Sequence, residues 1–469
     1  MIQSLRRWIN AGTSRASPED ERARRSRGIL RGTVSAIGKS GLAFIVTIVS
    51  VPLTVRYLGG ERYGVWVTIS SFLAFLSFTD FGLANSLTNA LGKAQAADAR
   101  DAGRRYVSTA FIVLSLVALF TLAVGIALAP RLATFLFPNI QSSLARAEIV
   151  PALLISLAIF ALNFPLLITN RVLAAHQENA LANLWNMAGS LANLVAILAV
   201  ILFRGGLPWL VLGCSGLGLL TNITSALWLF GFRKSWLRPR FSDIDLSFAR
   251  NLLSDGWKFF LIGVGWMINS QTDNIVIAHF LGANQVTPYS VTFRLFAIAT
   301  MLQTLAYPSL WPAYTNAFAR KDFVWIRRTF RSSFMFSFIV TLAILAVLVI
   351  FGRDIIRLWA GPGAVPSFSV IVWMALWNLM LSNLYMASCL LNATGHLRGM
   401  TIYGSVTAVL NLLLSIWFVQ IYGMLGVIAG TVIAFLIANY IPTFLEVRNV
   451  LKRLQSDAER IVPAKSLER

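Results

Sequence analysis

The stretch "LAFIVTIVSVPLTV", residues 42 to 55, contains no charged side chain. It belongs to an apolar run long enough to cross the ~30 Å hydrocarbon layer of a membrane as a helix. Similar runs recur along the whole chain, and hydrophobic residues make up 57% of its 469 positions. This share is well above that of soluble globular domains. The sequence therefore predicts an all-α integral membrane protein.

Working outward from this stretch, we predict about twelve transmembrane helices, each an apolar run of roughly 20 residues. We read the first run as a retained helix, because no short apolar core followed by a small-residue cleavage site precedes it. The approximate spans are 29–55, 63–91, 106–129, 149–170, 179–203, 207–230, 252–280, 288–318, 331–351, 366–392, 399–420 and 424–446.

The cations alternate from one side of the predicted membrane to the other. Of the 40 Lys and Arg residues, 30 lie in the N-terminal tail, the even-numbered loops and the C-terminal tail, whereas 7 lie in the odd-numbered loops. A net charge of +21 would favour nucleic acid in a soluble protein. Here the bias follows the positive-inside rule instead, and it predicts a multi-pass protein of a lipid membrane with both termini in the cytoplasm and no nucleic-acid partner.

Immediately before the opening stretch, Gly38-Lys39-Ser40 resembles the end of a nucleotide-binding loop. A Walker loop needs four residues between its two glycines and a strand before them. Five residues lie between Gly32 and Gly38, and no apolar strand precedes them. Lys39 therefore lies near one end of a membrane helix.

Three of the 40 Lys and Arg residues lie in neither the tails nor the loops, and all three fall inside predicted spans: Lys39, Lys258 and Arg294. A charge at the centre of a membrane costs ~2.5–3.5 kcal/mol, so such residues usually face a watery cavity or a partner. We predict them to be cations of a central cavity. The alternatives are that Lys39 and Lys258 extend to the membrane surface, or that Arg294 forms a structural pair with Asp273.

One helical face in the span 252–280 is polar along its length. Four of its residues recur at steps of 7, 4 and 4: Lys258, Gly265, Asn269 and Asp273. Asp80 likewise interrupts the second span. We predict Asp80 and Asp273 to be ion-coupling groups or charge partners, with coupling to a proton or sodium gradient left open and no cofactor or metal site. The predicted polar residues of the cavity are Asn85, Asn269 and Gln271.

An internal repeat divides the chain. "YLGGERYGVW" (57–66) aligns with "FLGANQVTPY" (280–289) at an offset of 223, and "LANLVAILAVILFRGG" (191–206) aligns with "VLNLLLSIWFVQIYGM" (409–424) at an offset of 218. These offsets predict two six-helix lobes related as parallel repeats. The predicted divisions are a basic tail 1–28, an N-terminal lobe 29–230, a linker 231–250, a C-terminal lobe 251–446 and a cytoplasmic tail 447–469.

Four segments resemble the Wzx-type polysaccharide and O-antigen flippases of the multidrug/oligosaccharidyl-lipid/polysaccharide exporter superfamily, in the expected order. They are "VPLTVRYLGGERYGVW", "TDFGLANSLTNALGKAQAADARDAGRRYVSTAF", "NSQTDNIVIAHFLG" and "YPSLWPAYTNAFARKD". The resemblance implies a two-lobe protein with a cationic cavity, to which Arg294 contributes.

The same resemblance implies alternating access in a bacterial inner membrane. The substrate would be an undecaprenyl-diphosphate-linked oligosaccharide, moved from the cytoplasmic to the periplasmic leaflet during surface polysaccharide biosynthesis. A polysaccharide polymerase and a chain-length regulator are further candidate partners.

Two other functions are alternatives to flipping of a lipid-linked oligosaccharide. A cation-coupled multidrug exporter of the same superfamily would favour an acidic cavity, whereas three cations stand here against two carboxylates. A membrane glycan polymerase or ligase needs catalytic groups on a sizeable external loop, and the longest one, 130–148, contains little beyond Arg131, Arg146 and Glu148. The sequence therefore predicts a transporter and not an enzyme.

Overall fold

The computed structural model describes the backbone of residues 18–466, and the side chains discussed below lie within residues 31–456. No strand occurs in the described backbone, as the sequence predicts. The helices are α1 Pro18–Leu76, α2 Leu83–Ala96, α3 Arg100–Leu136, α4 Ser143–Asn163, α5 Leu167–Ala175, α6 Asn179–Leu202, α7 Leu207–Trp228, α8 Leu246–Leu281, α9 Ala283–Phe296, α10 Ile298–Ala319, α11 Phe323–Ala360, α12 Phe368–Ala393, α13 Leu397–Tyr422, α14 Met424–Phe435 and α15 Ile441–Ser466.

Helix α1 reverses direction at Gly59, whose backbone (φ 76°, ψ 170°) is open to glycine and strained for other residues. Before the turn, α1 runs beside α6. The Asn183 amide donates to Ser35 Oγ at 3.0 Å near one end of α6, and the Tyr57 hydroxyl donates to the Gly205 carbonyl at 2.7 Å beyond the other. The two halves of α1 are therefore separate membrane crossings joined by a turn of one residue.

The backbone confirms the internal repeat. Residues with positive φ mark the turns between crossings, and four of them in the N-terminal lobe have counterparts in the C-terminal lobe at offsets of 218 to 223 residues. The two lobes therefore fold by the same sequence of helices and turns. The pairs are Gly59 with Gly282, Asp98 with Lys321, Gln177 with Gly395, and Arg204 with Gly423.

Nine helical stretches among the described residues are long and apolar enough to cross a membrane. Since α1 reverses at Gly59, and α8, α9 and α10 pack in the same bundle, the chain path is consistent with the predicted count of twelve crossings. The second crossing breaks in a 3₁₀ turn at Ser77–Asp80. The equivalent crossing of the second lobe breaks between α9 and α10 at Ala297.

Several helices extend beyond the predicted spans. Helix α1 begins inside the predicted tail 1–28, α8 begins at Leu246 inside the predicted linker 231–250, and α15 continues to Ser466 inside the predicted tail 447–469. Apolar runs mark the part of a helix that lies in lipid, whereas a helix can continue into water once its backbone is hydrogen-bonded. Hydropathy therefore underestimates helix length at these ends.

The bundle has two ends, which differ in how the lobes meet. The Gly59 end contains residues 56–64, 135–148 and 279–290, and the linker end contains residues 235–248. Toward the Gly59 end, the buried apolar residues form one core that joins both lobes, for example Val51 of α1 with Val286 of α9. Toward the linker end there are two separate cores, one built mainly by the N-terminal lobe and joined by Leu252 of α8, and one built by the C-terminal lobe. The lobes therefore share a broad core at one end and are joined mainly through α8 at the other.

Close backbone packing fixes the contact at the Gly59 end. A side chain at Gly64 would collide with the carbonyl of Ala283, so only glycine permits this approach of α1 to α9. The Thr287 hydroxyl donates to the Gly60 carbonyl at 2.5 Å across the same seam. On a neighbouring side, Arg56 donates to the carbonyl of Leu358 at 2.6 Å.

Helix α8 continues the contact toward the linker end. Its Phe260 packs against Phe81 with ring centroids 5.2 Å apart, and Phe248 packs against Tyr106 of α3 at 4.3 Å. Helix α10 packs against α11 and α12 of its own lobe. The linker end is thus closed on the α8 side of the bundle.

Candidate functional site

The predicted site residues form three separate groups in the structure. Arg294 lies at the seam between the lobes, Asp273 and Asn269 belong to a network inside the C-terminal lobe, and Asp80 lies in the break of the second crossing. Asn85 on α2 and Gln271 on α8 are half-buried and form no hydrogen bond through their side chains within the described part of the chain.

Arg294 is on α9, which is otherwise almost entirely buried from Val286 to Phe296. Its side chain is half-buried, and among the described residues no carboxylate or carbonyl oxygen pairs with it. The predicted alternative of an Arg294–Asp273 pair is not formed, because both carboxylate oxygens of Asp273 bond to hydroxyl groups instead. Arg294 therefore retains hydrogen-bond donors for an anionic ligand.

Tyr63 lies beside Arg294 and was not predicted from the sequence. It is completely buried on the second half of α1. Its hydroxyl is close to Ser290 and Arg294 but completes no hydrogen bond to any described residue. A buried hydroxyl without a partner costs free energy. The seam therefore places the Tyr63 hydroxyl of one lobe near the Arg294 guanidinium of the other.

Lys39 lies on the first half of α1, away from Arg294 in the chain and in the other lobe. Its side chain is half-buried and forms no ion pair with the residues that the structure describes. The side chain of Lys258 lies outside the described residues. For Lys39 and Lys258, both predicted alternatives therefore stay predictions: a residue of the central cavity, or a lysine directed to the membrane surface.

Asp273 is buried in the C-terminal lobe at 6% exposure. The Tyr289 hydroxyl donates to its Oδ2 at 2.5 Å, and Thr431 Oγ1 lies 3.2 Å from the same oxygen. Tyr289 comes from α9 and Thr431 from α14. Within the described residues, no Lys or Arg pairs with this carboxylate.

The network continues away from Asp273 through α13. Thr431 Oγ1 is 2.9 Å from Asn411 Oδ1 and 3.0 Å from the Val427 carbonyl. The Asn411 amide donates to Asn269 Oδ1 at 3.3 Å, and the Ser415 hydroxyl donates to Asn411 Oδ1 at 2.9 Å. Four helices thus contribute to one polar cluster, and most of its atoms near the carboxylate are oxygens.

This cluster has a clear electrostatic consequence. An ionised carboxylate is very costly to bury without a cation, and hydroxyl donors offset only part of the cost. A proton on Asp273, or a cation among the oxygens of Asp273, Thr431 and Asn411, would neutralise it. The role of Asp273 as an ion-coupling group therefore stays a prediction, and the oxygen-rich surroundings are compatible with it.

Asp80 has different surroundings. Its Oδ1 accepts from the Gly82 amide at 3.0 Å and its Oδ2 from the Ala84 amide at 3.2 Å, at the start of α2. It also interacts electrostatically with Arg171 on α5. Asp80 therefore stabilises a helix N-terminus and is partly compensated by a cation.

Arg171 lies just beyond the predicted end of the fourth span. This span was predicted to end at about residue 170, which placed Arg171 in the following loop. In the structure the helical stretch of this crossing runs from Ser143 to Ala175 and includes Arg171. The apolar run ends at the arginine, whereas the helix continues beyond it. The separation of Asp80 and Arg171 in the sequence did not indicate their contact, because the two residues meet only through packing of α2 against α5.

The sequence of this chain is similar to those of known proteins. A family model described as polysaccharide biosynthesis protein matches residues 29–318. The chain belongs to this family. This finding confirms the family predicted from the sequence. A Yersinia pseudotuberculosis protein named for O-antigen export is 22% identical over 423 residues, covering 86% of this chain and 92% of that protein. A Salmonella typhi protein named for O-antigen transport is 21% identical over 399 residues, covering 83% and 89%.

The fold is shared with transporters of known structure. A MatE family model also matches residues 266–417. The inward-facing structure of a multidrug resistance MATE family transporter of the MOP superfamily superimposes with a TM-score of 0.70 at 17% identity, covering 88% of this chain and 99% of that one. This likeness confirms the predicted two-lobe all-α membrane fold of this polysaccharide biosynthesis family member.

Proposed function

We propose that this protein is a flippase for lipid-linked oligosaccharide. The substrate would be a glycan on undecaprenyl diphosphate, carried from the cytoplasmic to the periplasmic leaflet of the bacterial inner membrane. Family membership and the relatives named for O-antigen export support this substrate class. The observation that carries the proposal is Arg294, a half-buried cation in a membrane crossing that pairs with no carboxylate among the described residues.

The diphosphate of such a substrate is the chemical complement of this site. Phosphate oxygens accept charge-assisted hydrogen bonds from guanidinium groups, and these bonds are stronger in a site that excludes water. Arg294 would bind the diphosphate, and the Tyr63 hydroxyl would join when the seam opens. Lys39 and Lys258 are proposed as further cations along the path.

Alternating access follows from the two ends of the bundle. The lobes share one core toward the Gly59 end, whereas toward the linker end the core is divided in two and the lobes meet mainly through α8. This arrangement suits a state in which the substrate enters from the linker end. Separation of α1 from α9 at the Gly64–Ala283 contact would open the other end and would expose Tyr63 and Arg294 together. The isoprenoid tail would stay in the bilayer.

The orientation and energy source are part of the same proposal. The positive-inside bias supports an orientation with the linker end and both termini in the cytoplasm. An inside-negative potential favours outward movement of an anionic head group by ~2.3 kcal/mol per charge per 100 mV. Asp273 is the proposed coupling group, because it can take up a proton or sodium ion. A polysaccharide polymerase and a chain-length regulator would act on the product.

The two other predicted functions fit the geometry less well. An exporter of cationic drugs would present negative charge to its substrate, whereas the unpaired charge at the seam is positive. A polymerase or ligase would need reactive side chains at the membrane surface. In the predicted loop 130–148, Arg146 and Glu148 lie in the first turns of α4, where Arg146 donates to the Ile140 carbonyl and Glu148 forms a bidentate pair with Arg62, with N–O distances of 2.6 and 2.8 Å. The charged side chains of Arg146 and Glu148 therefore stabilise the fold.

The proposal is tested by transport of a fluorescent undecaprenyl-diphosphate oligosaccharide in proteoliposomes. We expect Arg294→Ala to reduce the rate below about a tenth of wild type, because two or more charge-assisted hydrogen bonds to the diphosphate are lost. Arg294→Lys should retain part of the rate, since it keeps the charge and loses the bidentate geometry.

Arg353→Ala is the matched control, because Arg353 is an exposed cation on α11 that forms no ion pair with other described residues. Its rate should equal that of wild type. Unchanged transport in Arg294→Ala would remove Arg294 from the path. No transport of any lipid-linked glycan by the wild-type protein, together with efflux of a cationic dye, would replace the proposed function by drug export.

A further inference from the structure

A groove of about 350 Å³ lies between α11 and α15 at the linker end, outside the seam and the Asp273 network. Its apolar part is formed by aromatic and aliphatic side chains of both helices. Phe334 packs against Phe330 and Phe444, with ring centroids 5.7 Å apart in each pair. Val447 and Leu451 complete the apolar lining.

Three cations line the same groove: Arg327 from α11, and Arg448 and Lys452 from α15. Arg448 and Lys452 are four residues apart and so project from one face of their helix. All three are exposed, and none forms an ion pair with a residue that the structure describes.

Two described carboxylates near the groove in the chain interact with other groups. Asp322 accepts a hydrogen bond from the Trp325 amide at 3.1 Å and caps the start of α11. Glu446 lies against Gly399 and interacts with Tyr403 of α13. Among the described residues, no acid therefore compensates the positive charge of the groove.

The order of these residues along the helices matches the depth of a lipid leaflet. Helix α11 begins at the linker end, so Arg327 lies outermost and Phe330 and Phe334 lie one and two turns deeper. Helix α15 runs outward, so Phe444 lies deep and Lys452 lies near the surface. A phosphate would meet cations where head groups lie, and an acyl chain would meet aromatic rings below them.

We propose that this groove is a binding site for an acidic phospholipid of the leaflet at the linker end. Free phosphate would use the cations alone, whereas a phospholipid uses both the cations and the apolar part of the groove. Basic pockets between transmembrane helices are known to suit lipid head groups of this charge. With three cations, a lipid with two phosphates should bind more tightly than a lipid with one.

The experiment uses the purified full-length protein in detergent and titrates it with cardiolipin. Native mass spectrometry measures lipid occupancy, and thermal unfolding measures stabilisation. The groove variant is Arg327→Gln/Arg448→Gln/Lys452→Gln. The control variant, Arg328→Gln/Arg331→Gln/Arg453→Gln, removes the same charge from exposed positions on the same two helices that do not line the groove.

We expect the groove variant to bind cardiolipin at least about tenfold more weakly than the control variant, because each cation contributes to attraction of an anionic head group. Equal binding by both variants, whether retained or weakened, would overturn the assignment. Binding of inorganic phosphate as tight as that of cardiolipin would overturn the lipid as ligand. Phosphatidylcholine with the same acyl chains should bind weakly in every variant.

A second pair of variants distinguishes a loss of lipid binding from a loss of folding. Lys452→Gln and Arg453→Gln each change one exposed residue, and both should unfold at the wild-type temperature without added lipid. Only Lys452→Gln should lower cardiolipin occupancy. The lipid test is made without transport, so its outcome does not depend on the proposed flippase activity.

Discussion

Asp80 and Asp273 are both carboxylates within membrane crossings, but the protein stabilises them in opposite ways. Asp80 accepts two backbone amides at the start of α2 and has Arg171 nearby. Asp273 accepts hydroxyl groups of Tyr289 and Thr431 and pairs with no cation among the described residues. Asp80 is thus compensated by its described neighbours, whereas Asp273 is surrounded by hydroxyl and amide groups. The comparison leads us to propose a structural role for Asp80 and a coupling role for Asp273, and the following variants test both.

The largest expected effect is on transport. Asp273→Asn removes the group that gains and loses a charge, and it keeps the size and most hydrogen bonds of the side chain. We expect an imposed proton or sodium gradient to have no influence on the transport rate of this variant in proteoliposomes, whereas it accelerates wild type. Asp80→Asn is the matched control and should respond to the gradient as wild type does. A normal gradient response in Asp273→Asn would show that Asp273 is structural as well.

A smaller effect is expected on stability when the Asp273 network loses one donor. Tyr289→Phe removes the 2.5 Å hydrogen bond and leaves the carboxylate with Thr431. Hydrogen bonds to charged groups contribute about 1.5–3 kcal/mol, so the free energy of unfolding should fall by about this amount. Unfolding in mixed micelles measures the loss. Thr431→Val should lower the stability less, and a change in Tyr289→Phe no greater than that in Thr431→Val would argue that Asp273 is already neutral.

The smallest expected effect concerns Asp80. Asp80→Ala removes the acceptor for Gly82 and Ala84 and should destabilise the protein by about 0.5–2 kcal/mol, as loss of a helix cap does. Asp80→Asn should recover most of this, because asparagine caps helices as well as aspartate. The rate per folded molecule should stay at the wild-type value in both variants. A transport defect in Asp80→Asn at normal stability would mean that the two carboxylates share a role.

The sequence predicted the architecture because each of its signals lies within one helix or one turn. Apolar runs indicated the crossings, and the offset of 223 between Gly59 and Gly282 indicated the repeat, which the backbone angles confirm. The predicted roles of Arg294, Lys39 and Lys258 as cavity cations stay predictions, and the transport experiments above address Arg294 directly.

The neighbours of these residues could not be predicted in the same way. Thr431 is 158 residues from Asp273, and Tyr289 comes from another helix, so no periodicity within a single helix relates them. Arg171 was missed because hydropathy ended the fourth crossing at the arginine itself. Tyr63 was missed because a tyrosine near the end of a membrane helix is common, and its unsatisfied hydroxyl is visible only once both lobes are in place.

The single-residue turns at Gly59 and Gly282 have a consequence for how the protein is made. In each case two helices reverse with a single residue between them. A backbone that reverses inside or beside hydrocarbon must have its hydrogen bonds satisfied from the start. Each pair should therefore enter the membrane during synthesis as one helical hairpin. A tag or insertion at either glycine would then block biogenesis before transport could be assayed.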